Sequence, residues 1–71
     1  MNAADKKAVE LGATVNPAIN WTWANNFPCP EVGREFVRWL DQNNYETRGY
    51  YPANPKSTNP NLRVDGVRYR K

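Results

Sequence analysis

Residues 62–71 read LRVDGVRYRK, and this stretch carries the strongest sequence signal for β-structure. Two short β-type runs, 62–64 and 67–71, flank the pair Asp65-Gly66. A type I′ turn needs positive φ at both central residues, which an Asp-Gly pair readily supplies. We therefore predict a β-hairpin that turns at Asp65-Gly66.

The same end of the chain is basic. Residues 45–71 hold six of the ten Lys and Arg residues and two of the seven acids, whereas residues 1–44 hold four basic and five acidic groups. A further β-type run lies at 47–51. On the predicted hairpin Arg63 lies near Arg68 and Arg70, which makes a basic β-wing. Arginines held on a rigid ribbon commonly contact a phosphate backbone.

The composition predicts one small domain over residues 1–71, with a core that depends on aromatic rings. Hydrophobic residues make up 39% of the chain and the mean hydropathy is −0.91. A buried Trp or Tyr removes roughly 150–250 Å² from water, which partly offsets this low apolar content. The expected core residues are Trp21, Trp23, Phe27, Phe36, Trp39 and Leu40.

Catalysis is not expected of this chain. It has no His and a single Cys, which excludes His-dependent nucleophilic triads, most zinc sites and an internal disulfide. Cys29 lies between two prolines, and nothing adjacent in sequence supplies a cation that would activate its thiol. We expect no enzyme activity, no metal, no cofactor and no small-molecule substrate.

Membrane and secretory signals are also not found in the sequence. No apolar run approaches the ~20 residues of a membrane span, and no charged-apolar-small leader is recognised. We expect a cytoplasmic protein with no membrane partner.

Two helices are predicted before the basic end. Residues 3–13 favour helix, with Gly12 as a stop and residues 1–2 frayed. Residues 30–43 are the best-marked helix, because Pro30 suits the first helical position and Asn43-Asn44 can end it. The apolar face of this second helix is formed by Val32, Phe36, Trp39 and Leu40.

Residues 17–26 are ambiguous between helix and strand. Asn16-Pro17 resembles a helix cap followed by Pro at the first helical position, and Asn25-Asn26 could end such a helix. The alternation of Ile19, Trp21 and Trp23 has a period of two instead, which suits a strand. The presence of a start and a stop favours the helix, but the strand alternative stays open.

Residues 52–61 are predicted to form an exposed loop, because they contain three prolines and three asparagines. Such a long loop is either a flexible connector or a functional segment in which Lys56 contacts phosphate. Four tyrosines interleave with the nearby arginines, which suits either base stacking in single-strand binding or packing of a half-buried sheet. The tyrosines are Tyr45, Tyr50, Tyr51 and Tyr69.

The residues expected to contact nucleic acid or another partner are mostly basic. On the second helix, Arg34 and Arg38 form either a solvated, ion-paired side or, with Gln42, a recognition face. The full candidate set is Arg34, Arg38, Arg48, Lys56, Arg63, Arg68, Tyr69, Arg70 and Lys71.

The predicted fold class is α+β, with two or three short helices packed on a small antiparallel hairpin or sheet near the C-terminus. In this order, residues 36–40 (FVRWL) resemble the Arg- and Trp-rich helix, and residues 64–70 (VDGVRYR) the wing, of phage excisionases and MerR-type winged-helix domains. This resemblance covers at most residues 30–71. In an alternative alignment, residues 18–39, with Phe27-Pro28-Cys29-Pro30 in the middle, resemble AlpA-type regulators. The two alignments exclude each other.

Two functions remain open from the sequence. The resemblance implies a non-catalytic, excisionase-like or regulatory DNA-binding protein, with Arg34 and Arg38 near the major groove and the wing arginines on the backbone. The alternative is a phage-encoded inhibitor that blocks a host protein or nucleoprotein complex, because exposed aromatics and Arg are favoured interface anchors.

Overall fold

The computed structural model describes residues 2–71, which fold as three helices on a four-stranded antiparallel sheet. The predicted α+β class is therefore correct. In chain order the elements are α1 (Ala3–Glu10), β1 (Thr14–Pro17), β2 (Thr22–Asn25), α2 (Pro30–Gln42), β3 (Glu46–Tyr51), α3 (Pro60–Arg63) and β4 (Gly66–Arg70). Among the described residues, no helix is long and apolar enough to cross a membrane.

The last strand, β4, lies inside the sheet. The strand order is β1-β2-β4-β3, and β4 pairs antiparallel with both β2 and β3. Because both neighbours oppose β4, β2 and β3 run parallel to each other and are joined through α2. The arrangement is a split β-α-β unit extended by β1 at one edge.

Helices α1 and α2 cover one face of this sheet. Ala4 and Ala8 of α1 and Phe36 and Leu40 of α2 are fully buried in one cluster with strand residues. The strand residues of this cluster alternate with residues of the opposite face, as the period of two requires; they are Ala24, Val67 and Tyr69. Of the six expected core residues, Trp21 and Trp39 are only half-buried.

Both long helices end as the sequence predicts. Gly12 has φ +96°, and the amides of Gly12 and Ala13 bond to carbonyls of the last turn of α1. Asn44 has φ 62°, and the Tyr45 amide bonds to the Leu40 carbonyl at the end of α2. Both are Schellman-type ends with a left-handed residue just after the helix.

Asn2, which was predicted to be frayed together with Met1, is the N-cap residue of α1. Its side-chain Oδ1 accepts a hydrogen bond of 2.8 Å from the Asp5 amide and so caps α1. Met1 lies outside the described residues.

The predicted helix over residues 17–26 is wrong, and the strand alternative holds for Thr22–Asn25, whereas Ile19 and Trp21 precede that strand. The segment contains the end of β1, a turn at residues 18–21 and β2, with a hydrogen bond from the Ala18 amide to the Trp21 carbonyl. A strand places Trp21 and Trp23 on the same side, opposite the buried Ala24. A helix would separate the two indoles by about 200° around its axis. Tertiary burial of Ala24 and Trp23 therefore outweighs the local cap signal.

The predicted hairpin at Asp65-Gly66 is also wrong. Residues 60–63 form α3, because Pro60 follows Asn59, whose side chain caps the Asn61 amide at 3.0 Å. Gly66 opens β4 and pairs with Asn25 and Tyr51. A Cβ on Gly66 would lie 2.6 Å from Asn25 Nδ2, so close approach, and not a turn, requires glycine here.

Residues 52–61 are mostly exposed, but Pro60 and Asn61 of the predicted loop belong to α3, and the segment is tied to the sheet. The tie is Asn25, a buried amide that the sequence analysis treated only as part of a helix end. Its Nδ2 donates to the carbonyls of Asn61 and Asp65 at 3.2 and 3.0 Å, and its Oδ1 accepts from Asn16 at 2.8 Å. The loop and α3 therefore cover the Asn25 end of the sheet face that α1 and α2 leave open.

A close contact between Gly33 and Tyr50 fixes α2 on the sheet. A Cβ built on Gly33 would overlap the ring of Tyr50. The Tyr50 hydroxyl donates to Asp65 Oδ2 at 2.7 Å, so the ring has little freedom to move aside.

Gly33→Ala should therefore destabilise the protein by about 1–3 kcal/mol, the usual cost of overpacking. An unobstructed Gly→Ala change inside a helix would instead stabilise by about 0.5–1 kcal/mol. Denaturant unfolding of Gly33→Ala, with Glu35→Ala on the exposed side of α2 as the control, measures the sign. A stabilised Gly33→Ala variant would show that Tyr50 does not hold the helix in this way.

Stability should also fall in alkaline solution. Burial, together with the hydrogen bond to Asp65, raises the pKa of Tyr50 to about 12, and burial with the bond to Asp5 raises the pKa of Tyr69 further. A raised pKa means that folding favours the neutral phenol. The contribution of the two neutral phenols to the free energy of unfolding is therefore complete below the ordinary tyrosine pKa of about 10. It is lost as the pH rises above that value.

Tyr50→Phe removes one of these ionisations. Free energies of unfolding measured from pH 9 to pH 12 should fall less steeply in Tyr50→Phe than in the parent protein. Identical slopes would contradict a raised pKa at Tyr50.

Candidate functional site

Three arginines surround one indole on the sheet face opposite α1 and α2. The guanidinium carbons of Arg70, Arg68 and Arg48 lie 4.1, 5.1 and 5.6 Å from the centre of the Trp21 ring. These distances are within the range of cation–π contacts. Together with Glu46 these residues form what we term the arginine–tryptophan face: Trp21, Glu46, Arg48, Arg68 and Arg70.

The strand register explains how these residues meet. In β4 the side chains of Val67 and Tyr69 are buried against the helices, so Arg68 and Arg70 emerge on the other side. Trp21 precedes β2, the neighbour of β4, and therefore lies beside Arg70.

Arg48 lies on the same face as Glu46, two residues earlier in β3, because side chains alternate along a strand. The register of β3 against β4 then shifts between Thr47 and Tyr50, and Gly49 within the shift has φ +92°. A bulge of this kind redirects the side chains that follow it, and Tyr50 lies on the helix side against Gly33.

Glu46 is the anion held among these arginines. Its carboxylate accepts from Arg70 Nε at 2.9 Å and from an Arg70 terminal nitrogen at 3.4 Å, and lies 3.5 Å from Arg48. The hydrogen bond from Arg70 lowers the pKa of Glu46 below its usual value, with smaller contributions from the charges of Arg70 and Arg48. The face therefore carries three positive groups and one negative group.

Arg68 differs from the other two arginines because it is half-buried. It lies 5.5 Å from the ring centre of Tyr51 and 5.8 Å from that of Trp23, and it donates to the Tyr51 hydroxyl at 3.2 Å. Its Nε is buried without a hydrogen-bond partner among residues 2–71. Arg68 thus packs against the rings of Trp23 and Tyr51. The side chains of Arg48 and Arg70, in contrast, are 55% and 43% exposed.

The structure brings together part of the predicted site. Arg48, Arg68 and Arg70 share one face, although Arg63 does not join them on a paired strand. Arg63 lies on α3, where its Nε donates to the Ser57 carbonyl at 2.9 Å. Lys56 is exposed in the loop that leads to α3.

Tyr69 is buried although it was predicted to be a contact residue, whereas Lys71 is exposed. Tyr69 is 1% exposed on the helix side, so it belongs to the core and cannot serve as a contact residue. Lys71 Nζ lies 4.4 Å from the ring centre of Tyr45, which itself packs on Tyr69.

The two arginines of α2 lie in the helical layer, away from the arginine–tryptophan face. Arg34 is 3.9 Å from Glu31, and its guanidinium lies 5.9 Å from the Tyr50 ring centre. Arg38 is exposed on the same helix as the acids Glu35 and Asp41.

Sequence reasoning missed Trp21 and Glu46 as site residues. The period of two at Ile19, Trp21 and Trp23 was the available signal for Trp21, since it places both indoles on one face of a strand. For Glu46, the available signal was the alternation of Glu46 and Arg48 along β3.

Comparisons with protein-family models, with curated proteins and with solved structures find no match to this chain.

Arg68→Ala and Arg70→Ala should separate packing from surface charge. Arg68→Ala removes a side chain that lies against several aromatic rings and should lower the free energy of unfolding by about 1–3 kcal/mol. Arg70→Ala breaks an exposed ion pair, which is typically worth about 0–1 kcal/mol. Chemical denaturation of both variants gives the comparison, and equal losses would contradict the distinct roles assigned here.

Proposed function

We propose that this protein is a non-catalytic DNA-binding protein that uses the arginine–tryptophan face as its contact surface. The observation that carries the proposal is the convergence of Arg48, Arg68 and Arg70 on Trp21. The proposed contact surface is therefore a face of the sheet and not the hairpin wing that the sequence predicted.

The exposed arginines supply the electrostatic part of binding. Arg48 and Arg70 present planar guanidinium groups, whose donors match phosphate oxygens in pairs. They are fixed on adjacent strands, so their spacing is set by the sheet. Contacts of this kind position a protein on a nucleic-acid backbone and make affinity depend on salt.

Aromatic groups at the same level supply a second type of contact. Trp21 and Tyr51 are both half-buried, and their ring centres lie 5.1 and 5.5 Å from the Arg68 guanidinium carbon. Aromatic rings beside arginines are typical of surfaces on which bases stack.

The charge distribution favours this face over α2. Positive groups of α2 are interspersed with Glu31, Glu35 and Asp41, whereas the arginine–tryptophan face has a net charge of +2 from three arginines and Glu46. The acidic groups of α2 repel phosphates, so a recognition role for α2 is less favourable than contact through the sheet.

DNA titration with a paired variant tests the proposal. In fluorescence anisotropy with a labelled oligonucleotide, Arg48→Ala/Arg70→Ala should weaken binding by roughly tenfold or more and should reduce the slope of log K against log salt by about 2. Lys6→Ala, which removes a positive charge from α1, is the matched control and should leave the affinity near that of the parent protein.

The proposal fails if the parent protein binds neither single-stranded nor duplex DNA at low salt. A large loss in Arg34→Ala/Arg38→Ala, with full binding by Arg48→Ala/Arg70→Ala, would move the contact surface to α2.

Ile19 favours a second candidate, an inhibitor that blocks a host protein or nucleoprotein complex. Its side chain is fully exposed in the turn between β1 and β2, two residues from Trp21. Trp and Arg are the residue types most favoured as interface anchors, and the exposed Ile19 side chain adds apolar area that a protein partner would bury. Nuclease-resistant capture of one stoichiometric protein that is lost in Ile19→Asp would favour this candidate, and nuclease-sensitive capture would oppose it.

A further inference from the structure

We infer that the arginine–tryptophan face takes single-stranded DNA in preference to duplex DNA, with a phosphate replacing the Glu46 carboxylate and a base lying against the aromatic rings. The inference rests on the proposed function, which it narrows to one form of the nucleic acid.

Glu46 occupies an oxyanion position between two arginines. Its carboxylate already receives donors from Arg70 and lies within ion-pair distance of Arg48. A phosphodiester also presents two acceptor oxygens, although its phosphorus is tetrahedral, so the donors that now meet the Glu46 carboxylate suit an oxyanion. Because Glu46 is 42% exposed at its side chain, an incoming phosphate can reach this position from solvent.

The two exposed arginines lie close to the Trp21 indole. Arg70 lies 4.1 Å and Arg48 5.6 Å from the Trp21 ring centre, so a ligand that binds both arginines also meets the indole. In a duplex the phosphates lie outside and the base faces are stacked inside, away from a protein ring. An unpaired strand can place a phosphate on the arginines and a base face on an aromatic side chain together.

Most of the arginine–tryptophan face is left uncovered by helices. The face belongs to a sheet whose only described cover, α3 and the loop before it, lies at the Asn25 end. Helix α2, the element long enough to enter a major groove, packs on the opposite face. An open sheet face with arginines and aromatics is the kind of platform on which single strands bind.

This arrangement gives Glu46 a defined effect on affinity. In the free protein it neutralises part of the charge of Arg48 and Arg70, and bound phosphate must compete with it. Glu46→Gln keeps a similar shape but removes the negative charge, so it should tighten single-strand binding by about two- to fivefold, the range expected from one exposed ion pair.

The decisive experiment compares one labelled DNA strand with the blunt duplex of the same sequence. Anisotropy titrations use the parent protein, Glu46→Gln and Trp21→Leu, with Trp39→Leu as the matched tryptophan control in the helical layer. The parent protein should bind the single strand at least tenfold more tightly than the duplex. Trp21→Leu should lose roughly tenfold for the single strand, since stacking of a base on an aromatic ring is lost.

The outcomes separate the two proposals. Equal or tighter binding of the duplex overturns the single-strand inference but leaves DNA binding intact. No binding of either form overturns DNA binding itself. Weaker single-strand binding by Glu46→Gln contradicts the replacement of its carboxylate by phosphate, and this test does not depend on whether Trp21→Leu folds.

Discussion

Burial of Tyr69 in the central strand is the constraint on which the rest of the structure depends. Its ring meets Phe36 edge-on at 5.3 Å, and its hydroxyl donates to Asp5, so one residue joins β4 to both long helices. A strand alternates its side chains between two faces. Once Tyr69 is buried on the helix side, Arg68 and Arg70 must project on the other side, where Trp21 lies.

Short-range patterns in the sequence predicted the elements better than their pairing. The apolar repeat that contains Phe36 and Leu40 gave α2, because a helix is decided by neighbours within one or two turns. The pair Asp65-Gly66 has the local chemistry of a turn, but Gly66 serves as a point of close approach to Asn25. Strand pairing depends on distant partners, and a turn signal contains no information about them.

The candidate site was predictable to a similar extent. The basic character of residues 45–71 pointed to Arg48, Arg68 and Arg70, since charge is read directly from composition. Their convergence on Trp21 was not predictable, because it requires β4 to lie next to β2. The role of Tyr69 was misjudged for the same reason. A Tyr that alternates with Arg gives the same sequence pattern whether its side chain faces solvent or the core.

The central claim is that DNA contacts the sheet face opposite α1 and α2, and backbone and indole chemical shifts test it most directly. When an unlabelled DNA strand is titrated into isotope-labelled protein, the account predicts that the largest changes fall at Trp21, Arg48 and Arg70. Signals of Arg34, Arg38 and Gln42 on α2 should change little. Changes that centre on α2, with Trp21 unaffected, would contradict the account.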